Sequence, residues 1–124
     1  MKDLLKTIDI LDKFNQITAY YTPKQIAVIN NMAVKIAKFK GPFTWHQHDD
    51  SDELFWVVKG RLEIEIKDRP TLVADENQLL VIPKGLEHRP NPKEETLVAL
   101  IEPCELLNTG NVKNSFTVEE IEKI

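Results

Sequence analysis

His46-Gln-His48 places two histidines one residue apart, and Glu53 follows five residues after the second. The third and last histidine of the chain, His88, closes the stretch Pro83-Lys-Gly-Leu-Glu-His88. Imidazole nitrogens with one carboxylate oxygen suit a divalent transition metal: iron, manganese, nickel, zinc or copper. Such a set leaves one or two coordination positions for water or substrate. In an extended strand, residues i and i+2 leave the same face, so His46 and His48 can project together. Glu53 opens the next apolar run, and an antiparallel hairpin through Asp49-Asp50-Ser51-Asp52 would return it beside them. The alternative is a solvated loop, because H-x-H alone is a weak signal. Against it, both histidine-bearing stretches have a glycine and a proline placed to pin a strand end.

The elements around these residues read mostly as strands. Leu4, Leu5, Ile8, Leu11 and Phe14 recur at helical spacing, which predicts a short amphipathic N-terminal helix within residues 3–14. From Ile26 the period changes to two. Two strands are expected around Asn30-Asn31, a pair able to take the positive φ of a tight hairpin. Glu53-Leu-Phe-Trp-Val-Val is another strand, and Arg61-Leu-Glu-Ile-Glu-Ile alternates cleanly. Further strands are expected at Thr71-Leu-Val-Ala, Leu79-Leu-Val-Ile, Leu86-Glu-His-Arg and Thr96-Leu-Val-Ala-Leu-Ile. Short strands with regular turn signals predict an all-β sandwich or barrel. Thr117 stands three residues before Glu120, the pattern of a capping box, and predicts a brief C-terminal helix.

The chain fits one domain over residues 1–124: an N-terminal arm (1–25), a barrel (26–102) and a tail (103–124). With 42% hydrophobic and 29% charged residues, it has the composition of a soluble globule able to form one core. A net charge of -4 and no Lys/Arg stripe argue against nucleic acid as a partner. No run is long and apolar enough to span a membrane. Acids interrupt the apolar pattern of the first residues, unlike a signal peptide, so a cytoplasmic location is expected. Cys104, the single cysteine, lies between acids that would raise its pKa, so it reads as structural.

The two motifs resemble those of the cupins. Gly41, His46-x-His48, Glu53 and Gly60 follow the first cupin motif, and Pro83-x-Gly85 with His88 and Asn91 follows the second. Gly41 stands one residue closer to His46 than that pattern asks, and Asn91 one residue early. Asn77 replaces the glycine that opens the second motif; asparagine tolerates the left-handed conformation such a turn needs. The resemblance covers about residues 26–102 and implies a jelly-roll barrel with His46, His48, Glu53 and His88 as metal ligands. More narrowly, Val81-Ile-Pro-Lys-Gly, Glu87-His-Arg-Pro, Ile101-Glu-Pro and Leu107-Asn-Thr-Gly-Asn look like bacterial single-domain cupins loosely termed mannose-6-phosphate-isomerase-like. That label reflects fold similarity, and the activity of the group is generally unassigned.

Phe55 and Val57 share the face of Glu53 and are expected to line a pocket, whereas Trp45 and Trp56 fall on the opposite face as packing or rim. Asp49, Asp50 and Asp52 read as a solvated turn, Arg61 and Lys84 as exposed, and Asn108-Thr-Gly-Asn as a turn. The leading expectation is a small metal-dependent enzyme of dioxygenase, isomerase or lyase type. It would hold one divalent ion per chain and act on a small oxygen-rich molecule. The rival is a non-catalytic module that senses a metal or small ligand. Pairing into a homodimer is expected from the resemblance and from the apolar arm around Ile17-Thr-Ala-Tyr-Tyr. No residue of the sequence is assigned as a general acid or base.

Overall fold

The computed structural model describes residues 5–124. Among the described residues, nine strands follow one short helix, α1 (Ile10–Phe14): β1 (Lys24–Ile29), β2 (Met32–Phe39), β3 (Glu53–Lys59), β4 (Arg61–Ile66), β5 (Arg69–Asp75), β6 (Leu79–Ile82), β7 (His88–Pro90), β8 (Thr96–Pro103) and β9 (Glu122–Lys123). They form a six-stranded sheet in the order β6-β3-β8-β2-β1-β9 and a three-stranded sheet in the order β5-β4-β7. The main core lies between them and includes Phe39, Phe55, Val57, Leu62, Ile64, Ile82 and Val98. Alternation decides which side chains enter it. Leu62, Ile64 and Ile66 of β4 are buried, while their neighbours Arg61, Glu63 and Glu65 are not.

The turns follow from residues that accept a positive φ. Asn30 (φ 56°) joins β1 to β2 as the Asn-Asn pair predicts, and Asn77 (φ 64°) precedes β6 in the left-handed conformation. The central pair β2–β8 runs in unbroken register from Met32↔Pro103 to Phe39↔Thr96. β3 pairs with β8 on its other side, beginning at Leu54↔Ile101. Inward-facing residues of β2, β8 and β3 therefore meet in one lining.

Both ends of the chain differ from expectation. Leu4 lies outside the described residues, and the helix begins only after Asp9, whose side chain accepts from Asp12 N at 3.1 Å. Leu5 and Leu11 are exposed, whereas Phe14 and Ile17 are buried against Ile36 and Ala99 on the outer face of the large sheet. Tyr21 (φ 56°) then enters the main core and stacks on Phe39 and Phe43 at centroid distances of 4.8 and 4.6 Å. The arm thus finds its apolar surface on its own barrel.

The expected C-terminal helix does not form. Thr117 uses its hydroxyl to accept from Asn114 N at 3.0 Å, and Val118 N donates to Asn108 Oδ1 at 2.9 Å. The capping groups are committed to the preceding loop, and so short a segment cannot by itself repay helix nucleation. Glu122–Lys123 instead adds to β1 as a parallel strand, helped by Ile124 N donating to Gln25 O and by a Lys24–Glu122 ion pair.

Candidate metal centre

Two of the predicted ligands open strands and two lie outside them. Glu53 is the first residue of β3 and His88 the first of β7. His46 lies in no regular strand but forms an isolated antiparallel bridge with His88. His46 N donates to His88 O at 3.0 Å and His88 N to His46 O at 2.9 Å. His48 is tied to the other motif, because its carbonyl accepts from Gly85 N at 2.8 Å. The two motifs are thereby stitched together. All four side chains are buried, and one donor atom from each lies within 4.8 Å of the others.

The ring orientations are fixed by acceptors that cannot donate. Thr44 O lies 3.0 Å from His46 Nδ1, and Leu86 O lies 2.8 Å from His88 Nδ1. A carbonyl only accepts, so Nδ1 carries a hydrogen in both rings, and in a neutral imidazole so anchored Nε2 is the nitrogen left for a metal. Backbone anchoring of this kind is how metal-binding histidines are oriented.

Both ring nitrogens of His48, Nε2 of His88 and Oε1 of Glu53 are buried without a hydrogen-bond partner among the described residues. Glu53 Oε1 lies 3.2 Å from His48 Nε2 and 3.5 Å from His88 Nε2, close but not in hydrogen-bond geometry. Leaving such groups unpaired is costly, about 1–3 kcal/mol each. Donor atoms about 2.0–2.2 Å from a common ion lie within roughly 4.4 Å of one another. The cluster's outer span of 4.8 Å is close to that limit, so small side-chain shifts would bring the four donors onto one ion. Three nitrogens and one oxygen match a transition metal rather than calcium or magnesium, which take oxygen. The residues fit the ion.

Burial, with the neighbouring His88, lowers the pKa of His46 to about 4. Burial pushes the Glu53 carboxyl upward, but the facing imidazoles of His48 and His88 outweigh it and hold the group below the ordinary carboxylate range. A neutral imidazole and an ionised carboxylate are the forms that bind a metal.

The centre opens onto a narrow cavity of about 40 Å³, with His46 and Glu53 in its wall beside Tyr21, Phe39, Phe43 and Phe55. A family model described as the cupin domain matches residues 34–101 of the chain. The chain belongs to the cupin family. This cupin is 37% identical over 97 residues to the uncharacterized protein YdbB of Bacillus subtilis (strain 168), covering 78% of this chain and 86% of the relative. The crystal structure of a cupin-2 domain protein from Shewanella frigidimarina NCIMB 400 superposes with a TM-score of 0.77. Its identity is 39%, and the match covers 80% of this chain and 96% of that one. Hydroquinone 1,2-dioxygenase from Sphingomonas sp. TTNP3, solved with 4-nitrophenol, has a TM-score of 0.73 at 12% identity. That match covers 79% of this cupin and 32% of the dioxygenase, and it shows the fold alone.

The other sequence expectations distribute plainly. Phe55 lines the cavity, whereas Val57 is buried in the core behind it. Trp45 and Trp56 are at the surface, with the Arg89 guanidinium 4.9 Å above the Trp45 ring. Asp49, Asp50 and Asp52 are exposed; Asp52 Oδ1 accepts from Lys84 N at 2.9 Å and so joins the two motif loops. Asn91 donates to Glu65 at 2.7 Å, away from the ligands. Arg61 pairs with Asp75 at the surface.

Two cavity residues escaped the sequence reading. Lys35 Nζ and Glu102 Oε2 form a buried ion pair at 2.8 Å, and both line the cavity. The two residues are diagonal neighbours on the directly paired strands β2 and β8, and continuation of the β3–β8 register sets Glu102 beside Glu53. Burial, and then the Glu53 carboxylate, raise the Glu102 pKa well above the usual value despite Lys35. Alternation was the available signal: Lys35 shares its face with Ala37 and Phe39, and Glu102 shares its face with Val98 and Leu100.

Proposed function

We propose that this cupin is a small metal-dependent enzyme that holds one divalent transition metal through His46, His48, Glu53 and His88. Its substrate would be a small, oxygen-rich molecule such as a dicarbonyl, hydroxy acid or sugar derivative. One observation carries the reading: His46 and Glu53 of the ligand cluster line a cavity whose wall also contains a buried Lys35–Glu102 ion pair. A buried pair such as Lys35–Glu102 is often matched or bettered in stability by apolar residues of the same volume. Its placement in a cavity wall beside metal ligands favours a chemical role.

The metal, when bound, supplies Lewis acidity toward substrate oxygen. The chain supplies the rest. Three neutral imidazoles and one carboxylate leave a site holding a divalent ion with a net positive charge, which favours anionic or enolic oxygen over an amine. The aromatic wall of Phe39, Phe43 and Phe55 excludes water and strengthens each polar contact inside. The cavity is large enough for only about three waters, so its occupant is small or the wall must give. Glu102 is the ionisable carboxyl of the cavity outside the four ligands. It is placed to move a proton at its Oε atoms, with Lys35 Nζ fixing its orientation. It fills the acid–base role that the motifs leave vacant.

The test is a screen of metal-loaded protein against dicarbonyls, hydroxy acids and sugar derivatives, followed by Glu102→Gln. Retained metal with turnover reduced by about a hundredfold or more is expected for loss of the proton carrier. Binding without turnover in wild-type protein would favour the sensing module instead.

A further inference from the structure

The segment His46-Gln47-His48 carries half of the ligands yet lies outside every regular strand. One side of it is held by the bridge between His46 and His88. The peptide groups of Gln47 need a separate partner, and the C-terminal loop provides it. Gln47 N donates to Asn111 Oδ1 at 3.0 Å, and Asn111 N donates to Gln47 O at 3.1 Å.

Gly110 makes that approach possible. Its φ is +56°, and a Cβ built on it would overlap the Gln47 carbonyl oxygen, stand 2.9 Å from the carbonyl carbon and 3.3 Å from His46 Cδ2. Glycine is needed both for the backbone conformation and for the space. The loop is itself anchored. Thr109 is fully buried, and its hydroxyl bonds to Val112 O at 2.6 Å and Thr117 Oγ1 at 2.7 Å. Asn114 Nδ2 donates to Thr44 Oγ1 at 2.9 Å, on the residue whose carbonyl orients His46.

We propose that Gly110 and Asn111 are positioning residues for the metal centre: they clamp Gln47 so that His46 and His48 keep the separation one ion requires. Neither touches the ligand nitrogens; both act through the Gln47 backbone. The inference rests on the metal reading above and goes beyond it, because it makes the tail a working part of the site. A loop that merely covered the barrel would affect stability when altered and leave the metal affinity of the folded protein unchanged.

The experiment is a cobalt(II) titration of the full, untagged chain, followed by visible absorption, which reports ligand geometry as well as affinity. Gly110→Ala is expected to weaken cobalt binding by about tenfold or more and to change the spectrum, as loss of support for a ligand does. Gly41→Ala is the control. Gly41 also has a positive φ (+74°), but nothing lies within 4 Å of its added Cβ, so it brings strain without collision. It should lower the melting temperature and leave cobalt binding intact. Asn111→Ala adds no atom and removes one hydrogen bond to Gln47, so it keeps the question open to test should Gly110→Ala not fold. Its expected weakening is about two- to tenfold. Wild-type affinity in both folded variants, or an equal loss in Gly41→Ala, would overturn the clamp alone. Wild-type protein that takes up no cobalt would overturn the metal reading, and the clamp with it.

Discussion

At His46, burial and the neighbouring His88 hold the imidazole neutral, with its pKa lowered to about 4. The same group in an unfolded chain titrates near pH 6.5. Between these values the unfolded chain binds the proton and the folded metal-free protein does not, so stability falls as the pH falls through that window. The depression corresponds to about 3 kcal/mol, fully lost only below the folded pKa. Glu102 works in the opposite sense, because its raised pKa favours the folded state at low pH and loses that contribution as pH rises. Urea unfolding of metal-free protein at pH 7 and pH 4, compared with His46→Gln, isolates the histidine contribution. An unchanged pH dependence in the variant would contradict it. Lys35→Met should cost about 3–5 kcal/mol by leaving Glu102 buried and alone, whereas Lys35→Met with Glu102→Leu should regain most of the loss. A double variant no more stable than the single one would show that the pair is structural. The four histidine and glutamate positions were legible because motif spacing is local. Lys35 and Glu102 were not, since they belong to strands 67 residues apart whose pairing no short pattern announces.

Among the elements, β4 and the Asn30-Asn31 hairpin were legible for a shared reason: strict alternation and a turn residue that accepts positive φ leave few other solutions. The tail was not. A capping pattern at Thr117 competes with the free edge of β1 and with the Asn108 and Asn114 side chains, and these tertiary partners decide the outcome. Asn108-Thr-Gly-Asn read as a plain turn because its partner, Gln47, is distant in sequence. The left-handed Asn77 before β6 makes the turn chemistry testable. Asn77→Ala should lower stability by about 1–2 kcal/mol, while Asn77→Gly should be neutral or modestly stabilising. Thermal melts of the two variants check this, and a clear loss in Asn77→Gly would contradict the conformational reason.

For the whole molecule, the free edges β5 and β6 carry exposed Leu72, Val73, Leu79 and Val81, with Trp56 exposed on the adjacent β3. Apolar edge strands call for cover, and a second copy of the barrel is our expectation. Light scattering at micromolar concentration should report twice the chain mass, and a monomer-sized particle would reject it. Metal occupancy is measured by elemental analysis of untagged protein alongside His88→Ala. About one transition-metal ion per chain is expected in the wild type and far less in the still-folded variant. Added metal should also raise the wild-type melting temperature, by an amount equivalent to about 2.7 kcal/mol at a hundredfold excess over the dissociation constant. Wild-type protein that contains no metal, and whose melting temperature does not move with iron, manganese, nickel, zinc or copper, would mean that His46, His48, Glu53 and His88 hold no ion.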